Sequence, residues 1–452
     1  MKKKIIVVGG IAAGPSAAAK AARTSPESDV VLFEATDTVS YGICETPYVI
    51  GGVIEDESKL VMYTPQRLQE EKGFTVRTFH YVEAIHPSRH EIAVRDLVRR
   101  SNLRIEYDKL ILATGALPKR LGVEGETARN VFYLRSREDC LAILHHLKSE
   151  SPKQAVIIGA GYVGIEMAEA FSARGVEVTI LEQGNFPLAR HEVETREKIL
   201  ETLESHNVHF HAGITVEGFV NDGSGKARHI ITNGGSFECD IVLIAIGVEP
   251  NSTLAKAINI RTGSSGAILT NEQQQTSADD IYAAGDCAEV KNIVTGKPEY
   301  IPLASVASRT GWIAGENAAG GRASFKGALR SVALKVFDME IGHVGLSYDE
   351  AINHKYDVTS ETITSTSKIP VYPGSQNLTI KLIIDRRTQR VLGADVFGRE
   401  GAVLRSNILG VAIQQKLTVE EISKLDLSYA PSFSPLWDPI LVAANKSKRK
   451  II

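Results

Sequence analysis

Cys44 carries the chemistry most readily read from this chain. It lies in Ser40-Tyr41-Gly42-Ile43-Cys44-Glu45-Thr46-Pro47, just before a predicted helix with Pro47 near its first turn. A helix N-terminus favours the thiolate, the nucleophilic form of cysteine, so a thiol placed there is poised for disulfide exchange. Glu45 acts in the opposite sense, because an adjacent carboxylate raises a thiol pKa unless it points away. Taken alone, a cysteine is as readily a small buried hydrophobe. Cys140 falls in a predicted helix, Cys239 near a strand edge, and Cys287 beside Asp286, where a small residue is enough. The total of 4 cysteines is too small for a disulfide-built scaffold and fits a reducing, cytoplasmic setting.

Two glycine-rich turns must position this thiol. The first follows the apolar strand Ile5-Ile6-Val7-Val8 and reads Gly9-Gly10-Ile11-Ala12-Ala13-Gly14, with a small-residue helix from Pro15 to Ala22, a strand from Val30 to Phe33, and then Glu34. Strand, tight turn, helix, strand and acid form the pattern that seats a dinucleotide. Small residues let the backbone approach a pyrophosphate at the helix N-terminus, and a carboxylate about 20 residues on accepts the ribose hydroxyls. Ile11 occupies the slot of the middle glycine. The second turn is complete: Gly159, Gly161, Tyr162, Val163 and Gly164 follow Ala155–Ile158, and Val178–Leu181 ends at Glu182. Gln183-Gly184-Asn185 supplies no arginine for a 2′-phosphate, which favours NADH over NADPH.

Three more strand-like runs end in short turns. Lys109–Leu112 leads to Ala113-Thr114-Gly115, Ile241–Ala245 to Gly247, and Ile281–Ala284 to Gly285-Asp286. Asp286 stands where a parallel sheet presents ligand-binding groups and could grip a polyhydroxyl chain; the alternative is an N-cap for the next helix. From about Phe325 onward the pattern changes to strand-like alternation in Ser331–Phe337, His343–Leu346, Lys355–Thr364, Asn377–Asp385 and Val391–Phe397, with helical patterns at Gly401–Gln415 and Val419–Lys424. This is an α+β module.

A length of 452 residues corresponds to roughly three domains at about 150 residues each. The net charge of -3 gives no reason to expect a nucleic-acid partner, and no apolar run reaches the length of about eighteen residues that a membrane span needs. The opening Met-Lys-Lys-Lys reads as the approach to a strand, because Gly9 and Gly10 break the apolar run at once. The basic tail Lys446, Lys448, Arg449 and Lys450 reads as a frayed, solvated end.

Together these features resemble the two-dinucleotide-binding flavoproteins of the pyridine nucleotide-disulfide oxidoreductase family, over nearly the whole chain. The resemblance implies an α/β fold with two Rossmann-like dinucleotide-binding domains and a C-terminal α+β dimerisation domain. FAD would be held by 1–118 with 248–324, NAD(P)H by 119–247, and the homodimer by 325–452. It implies that Gly9, Gly10, Ala13, Gly14 and Glu34 hold FAD, that Gly285 and Asp286 contact its ribityl and pyrophosphate, that Ala113, Thr114 and Gly115 mark the crossover, and that the second turn, with Glu182 and Gly247, takes NAD(P)H.

It further implies that Cys44 is a redox-active cysteine lying against the flavin. Dithiol members carry a second cysteine five positions later, which here is Val49, so the oxidised partner must be external: a small thiol such as coenzyme A, or oxygen as a sulfenic acid. Peroxidase-type members carry a histidine where this chain has Ala12, which favours the thiol branch. In the CoA-disulfide reductases, tyrosines matching Tyr372 and Tyr429 reach the cysteine across the dimer. Basic groups for CoA phosphates are sought at Lys20, Arg23 and Lys72, with Ser40 at a further contact position, although Ile43 and Trp437 replace an asparagine and a lysine found there. The expected activity is FAD-dependent, NAD(P)H-driven reduction of a low-molecular-weight, CoA-linked disulfide, persulfide or polysulfide. The alternatives are an NADH oxidase or peroxidase and a flavin-binding redox sensor with little turnover. No metal is expected.

Overall fold

A computed structural model describes residues 2–450. The first sheet is parallel with five strands in the order Ile281–Ala283, Lys109–Leu112, Lys4–Val8, Asp29–Phe33, Thr75–Arg77. Its central strand is covered on both faces, which is why Ile5, Ile6 and Val7 are all apolar and have no exposed surface. The edge strand Ile281–Ala283 returns from far along the chain to pair with Lys109–Leu112.

Helix α1 (Ala13–Thr24) follows the first glycine turn and packs lengthwise on the helix Ala304–Ala318. A Cβ on Gly311 would come within 2.2 Å of the Ala13 carbonyl oxygen, and one on Gly315 within 2.1 Å of that of Ala17. The small residues of α1 therefore serve a close helix–helix contact as well as the turn.

Helix α2 (Thr46–Gly51) carries the segment after Cys44, and α3 (Pro65–Lys72) is capped by the Thr64 hydroxyl. Between the two nucleotide units runs α4 (Arg137–Glu150), opened by a reciprocal cap of Ser136 and Asp139. The second sheet repeats the first in the order Val208–Ala212, Glu177–Glu182, Gln154–Ile158, Ile241–Ile244, Val131–Phe132. Helices α5 (Tyr162–Ala173) and α6 (Val193–Ser205) belong to this unit.

The third sheet is antiparallel, in the order Val332–Val336, Met339–Gly345, Val391–Gly398, Asn377–Asp385, Val358–Thr366, with the helix Ala402–Gln414 packed on it. Its strands and helices match the expected α+β module with shifted ends. Two three-stranded antiparallel sheets, built from residues 80–106 and 216–238, were not marked by the residue pattern.

The basic tail corrects an expectation. Lys446 belongs to a helix, Pro439–Ser447, whose N-cap Asp438 accepts the Ile440 N–H at 2.9 Å. Lys448 pairs with Glu420 at 2.6 Å, and Lys450 with Glu361 at 2.8 Å. The acidic partners lie elsewhere in the C-terminal module, so only folding brings them to the lysines and docks this end. Among the described residues no helix is long and apolar enough to cross a membrane.

Candidate active site

The two glycine turns are built alike. At the first, a Cβ on Gly9 would lie 2.2 Å from the Ala113 carbonyl oxygen, and one on Gly14 1.8 Å from that of Gly9, so neither position has room for a side chain. Glu34 Oε2 accepts the Gly10 N–H at 2.7 Å, while Oε1 accepts the Thr36 N–H at 2.9 Å. At the second, Glu182 Oε2 accepts the Ala160 N–H at 2.7 Å and Oε1 the Gly184 N–H at 2.7 Å. Each acid thus reaches back to the turn before its own helix, where a ribose is expected.

Both α1 and α5 begin without a side-chain cap and without an acidic residue in the first turn. Their leading N–H groups and positive dipole ends suit a pyrophosphate. Added Cβ atoms at Gly115 and Gly247 would meet nothing within 4 Å, so both glycines border open space. They stand where the chain passes between units: Lys119 donates its N–H to the Gly247 carbonyl, Asn251 donates its own to that of Gly115, and Thr114 Oγ1 donates to the Asn251 carbonyl at 2.5 Å.

Asp286 lies inside the single turn Gly285–Cys287 and starts no helix, which removes the N-cap alternative. Its Oδ2 accepts Arg135 Nη2 at 2.6 Å. Its Oδ1 is buried without a partner, as is the hydroxyl of Tyr300. A buried acceptor left unpaired is costly, so a ligand hydroxyl is the fitting complement. The residues present therefore fit FAD at the first unit and a nicotinamide dinucleotide at the second.

Cys44 is accessible and free, two residues ahead of α2, while Cys140, Cys239 and Cys287 are free and buried. Desolvation, then the carboxylates of Glu45 and Glu166, push its thiol up; Arg135 opposes them and Asp286 adds to them. The expectation of a helix-stabilised thiolate is corrected accordingly. The helix has six residues and Cys44 precedes its first turn, so a weak dipole faces three nearby acids. The acting charges come from three places in the chain: Asp286 from the turn Gly285–Cys287, Arg135 from just before α4, and Glu166 from α5.

Nothing in the residue pattern singled out Glu166. Burial, and then its neighbour Glu169, raise its carboxyl to about 7. Glu169 is committed elsewhere, pairing with Lys335 and accepting the Phe337 N–H at 2.8 Å. The available signal was an acidic pair three residues apart on an otherwise apolar helix.

The remaining candidates are dispersed. Lys20 pairs with Glu316 and lies over the Trp312 ring at 4.2 Å. Arg23 is exposed near the end of α1, Lys72 lies over Tyr63 at 5.0 Å, and Ser40 has a left-handed backbone with φ of 50°. Tyr372 and Tyr429 are 38% and 47% exposed on loops of the C-terminal module. Val49, the position of the missing second thiol, is buried in α2.

Residues 3–311 match the family model for pyridine nucleotide-disulphide oxidoreductases, and residues 332–439 match the dimerisation domain of the same family. The chain belongs to this family. Similarity to individual members runs end to end: it is 36% identical over 450 residues to the NAD(P)H coenzyme A polysulfide/persulfide reductase of Pyrococcus horikoshii, covering 99% of each chain. It is 32% identical to the coenzyme A disulfide reductase of Staphylococcus aureus, covering 98% of this chain and 100% of that one. The water-forming NADH oxidase of Lactobacillus brevis superposes with a TM-score of 0.95 at 28% identity, covering 100% of this chain and 99% of that one. As a pyridine nucleotide-disulphide oxidoreductase the protein is an NAD(P)H-dependent flavoprotein using FAD, and it carries the family's dimerisation domain.

Proposed function

We propose that this enzyme reduces CoA-linked disulfides, persulfides or polysulfides through Cys44 alone. The observation that carries the proposal is an accessible, free thiol, with Glu45, Glu166, Arg135 and Asp286 close enough to act on it and every other cysteine buried. FAD, when bound, supplies transfer of electrons from NAD(P)H to a sulfur–sulfur bond.

The chain's own residues then do the following. Cys44 Sγ attacks one sulfur of the substrate disulfide; a Cys44–thiol mixed disulfide forms, the original S–S bond breaks, and the first thiolate leaves. A two-electron reduction of the mixed disulfide returns the Cys44 thiolate and releases the second thiol. Glu166, half-protonated near neutrality, is suited to hold a proton close to the departing sulfur. Tyr372 and Tyr429, contributed by the second subunit, would donate hydrogen bonds to sulfur without titrating. Lys20, Arg23 and Lys72 with Ser40 form the proposed phosphate-contacting set, and Glu182 disfavours a 2′-phosphate and hence NADPH. The same reading assigns 1–118 with 248–324 to FAD, 119–247 to NAD(P)H and 325–452 to the dimer.

An NADH oxidase is the second reading, favoured by the superposition on the L. brevis enzyme. Mass spectrometry of the protein isolated without reductant separates the two. An adduct of CoA mass on Cys44 supports the proposal; a single added oxygen at Cys44, with no turnover of CoA disulfide, overturns it.

A further inference from the structure

Between the second nucleotide unit and the C-terminal sheet lies a buried polar cluster. Asp395, with 0% exposure, accepts the Glu192 N–H and the Thr195 hydroxyl through Oδ2, both at 2.8 Å. Oδ1 lies 2.5 Å from His343 Nδ1, a hydrogen bond, whereas His191 Nδ1 stands 3.3 Å from Oδ2, at ion-pair distance but without hydrogen-bond geometry. Beside the cluster, Lys381 of the C-terminal sheet pairs with Glu192 at 2.9 Å and Glu194 at 2.8 Å.

The ligand atoms of His191, His343 and Asp395 lie within 4.8 Å of one another, as in a cation site. A metal is nevertheless a poor fit. Both carboxylate oxygens already accept protein donors, and the 2.5 Å separation from His343 is that of a hydrogen bond rather than of two ligands on one ion. Burial works against an ionised Asp395, but the two imidazoles outweigh it and hold the carboxyl well below its usual range. The Asp395 carboxylate is fixed in place by the Glu192 N–H, the Thr195 hydroxyl and His343.

With Nδ1 turned to Asp395, His191 presents Nε2 to the Tyr162 hydroxyl at 3.1 Å, and the two rings meet edge to face at 6.0 Å. Tyr162 is the first residue of α5, immediately after Gly161. The charged groups acting on its hydroxyl are Asp395, Arg330, Arg190 and Glu350, three of which belong to the C-terminal module. Its hydroxyl is engaged by His191, which itself lies beside Asp395 of that module, while a Cβ on Gly161 would find only the Ala245 carbonyl, at 3.9 Å.

We propose that His191 is a positioning residue for the NAD(P)H site: buried beside Asp395, it ties the Tyr162 phenol to the face packed on the C-terminal module and keeps the Gly159–Gly164 turn open to the dinucleotide. The proposal rests on that turn being the NAD(P)H site. Released from His191, the phenol gains rotamers that lie over the turn, and the binding-competent fraction falls. Dinucleotide affinity is thereby linked to the docking of the C-terminal module on α6, which neither glycine turn encodes.

The test is calorimetric titration of NAD+ into the FAD-loaded full-length protein, for wild type, Tyr162→Phe, His191→Leu and the double variant. Each single variant is expected to bind about three- to tenfold more weakly, the worth of one hydrogen bond. The double variant should bind no more weakly than the weaker single one, because both remove the same contact. The KM for NADH should rise in step while the KM for the disulfide does not, a split that general loosening of the fold would not produce. Tyr162→Phe leaves the buried cluster intact, so an unchanged Kd in that variant overturns the proposal even if His191→Leu fails to fold. Additive losses in the double variant would overturn it too. Wild-type protein that retains FAD but does not bind NAD+ would overturn the assignment of the turn and the proposal together; normal wild-type binding with unchanged variants overturns only the role of His191.

Discussion

Arg174 donates from Nε to the Ile50 carbonyl oxygen at 2.7 Å, so the helix that begins at the second glycine turn ends by capping the helix that follows Cys44. A second donation, from Nη2, reaches the Val49 carbonyl at 3.4 Å, and a Cβ on Gly51 would come within 3.2 Å of the Ala170 Cα. The thiol-bearing segment is thus seated directly on α5.

Removing that cap should loosen α2. Arg174→Ala is expected to cost about 1–2 kcal/mol of stability, the worth of a charge-assisted hydrogen bond to an otherwise orphaned carbonyl. Disulfide turnover should fall with it. Denaturation with an activity assay checks this, and unaltered stability would show that water replaces the guanidinium at no cost.

Accessibility separates Cys44 from the other thiols. One equivalent of maleimide should react with the native, reduced protein, and 4 after denaturation, because Cys140, Cys239 and Cys287 are buried. Peptide mapping that places the fast label anywhere but Cys44 contradicts this. Cys44→Ser should abolish disulfide reduction yet retain slow electron transfer from NADH to a dye.

Asp286→Ala removes the buried oxygen left unpaired and also strands Arg135. Affinity for FAD should drop by at least about tenfold, since a hydrogen bond to a charged group and its buried partner are lost together. The ratio of flavin to protein absorbance after gel filtration reads this directly.

Glu166 makes stability depend on pH with a definite sign. Its folded-state value of about 7 stands above the ordinary 4.5, so between those values the native chain keeps a proton that the unfolded chain has released. Stability is therefore lost as pH rises through that window. Glu166→Gln should be more stable than wild type at pH 8 by about 2–3 kcal/mol, with the gap closing toward pH 5. Urea midpoints at the two pH values test it; a constant difference would mean that Glu166 is not the titrating group.

A shared active site has its own signature. Dimers formed from a Cys44→Ser chain and a Tyr372→Phe/Tyr429→Phe chain contain one complete site if the tyrosines act across the interface. Co-expression should then recover about one quarter of wild-type turnover from two nearly inactive parents, as random pairing in a two-fold dimer requires. No recovery would place the tyrosines in the same subunit as their cysteine, or outside the site.

The glycine turns, their closing acids and the lone thiol were legible because their logic is local. Gly14 is required by the carbonyl of Gly9 in the same turn, and Glu34 and Glu182 sit one strand after the turns they reach. Cys44 could be singled out by its place after the first unit, but not its protonation. Glu45 beside it was legible as raising the thiol pKa, but burial and the charges of Glu166, Arg135 and Asp286 come from separate parts of the chain and meet Cys44 only when the units pack. The C-terminal tail was misread for the same reason, since its partners Glu361 and Glu420 lie outside any local window. Periodicity and turn chemistry record what a residue does to its own backbone; the electrostatics of the thiol and the His191–Asp395 contact arise where domains meet, and only tertiary packing decides them.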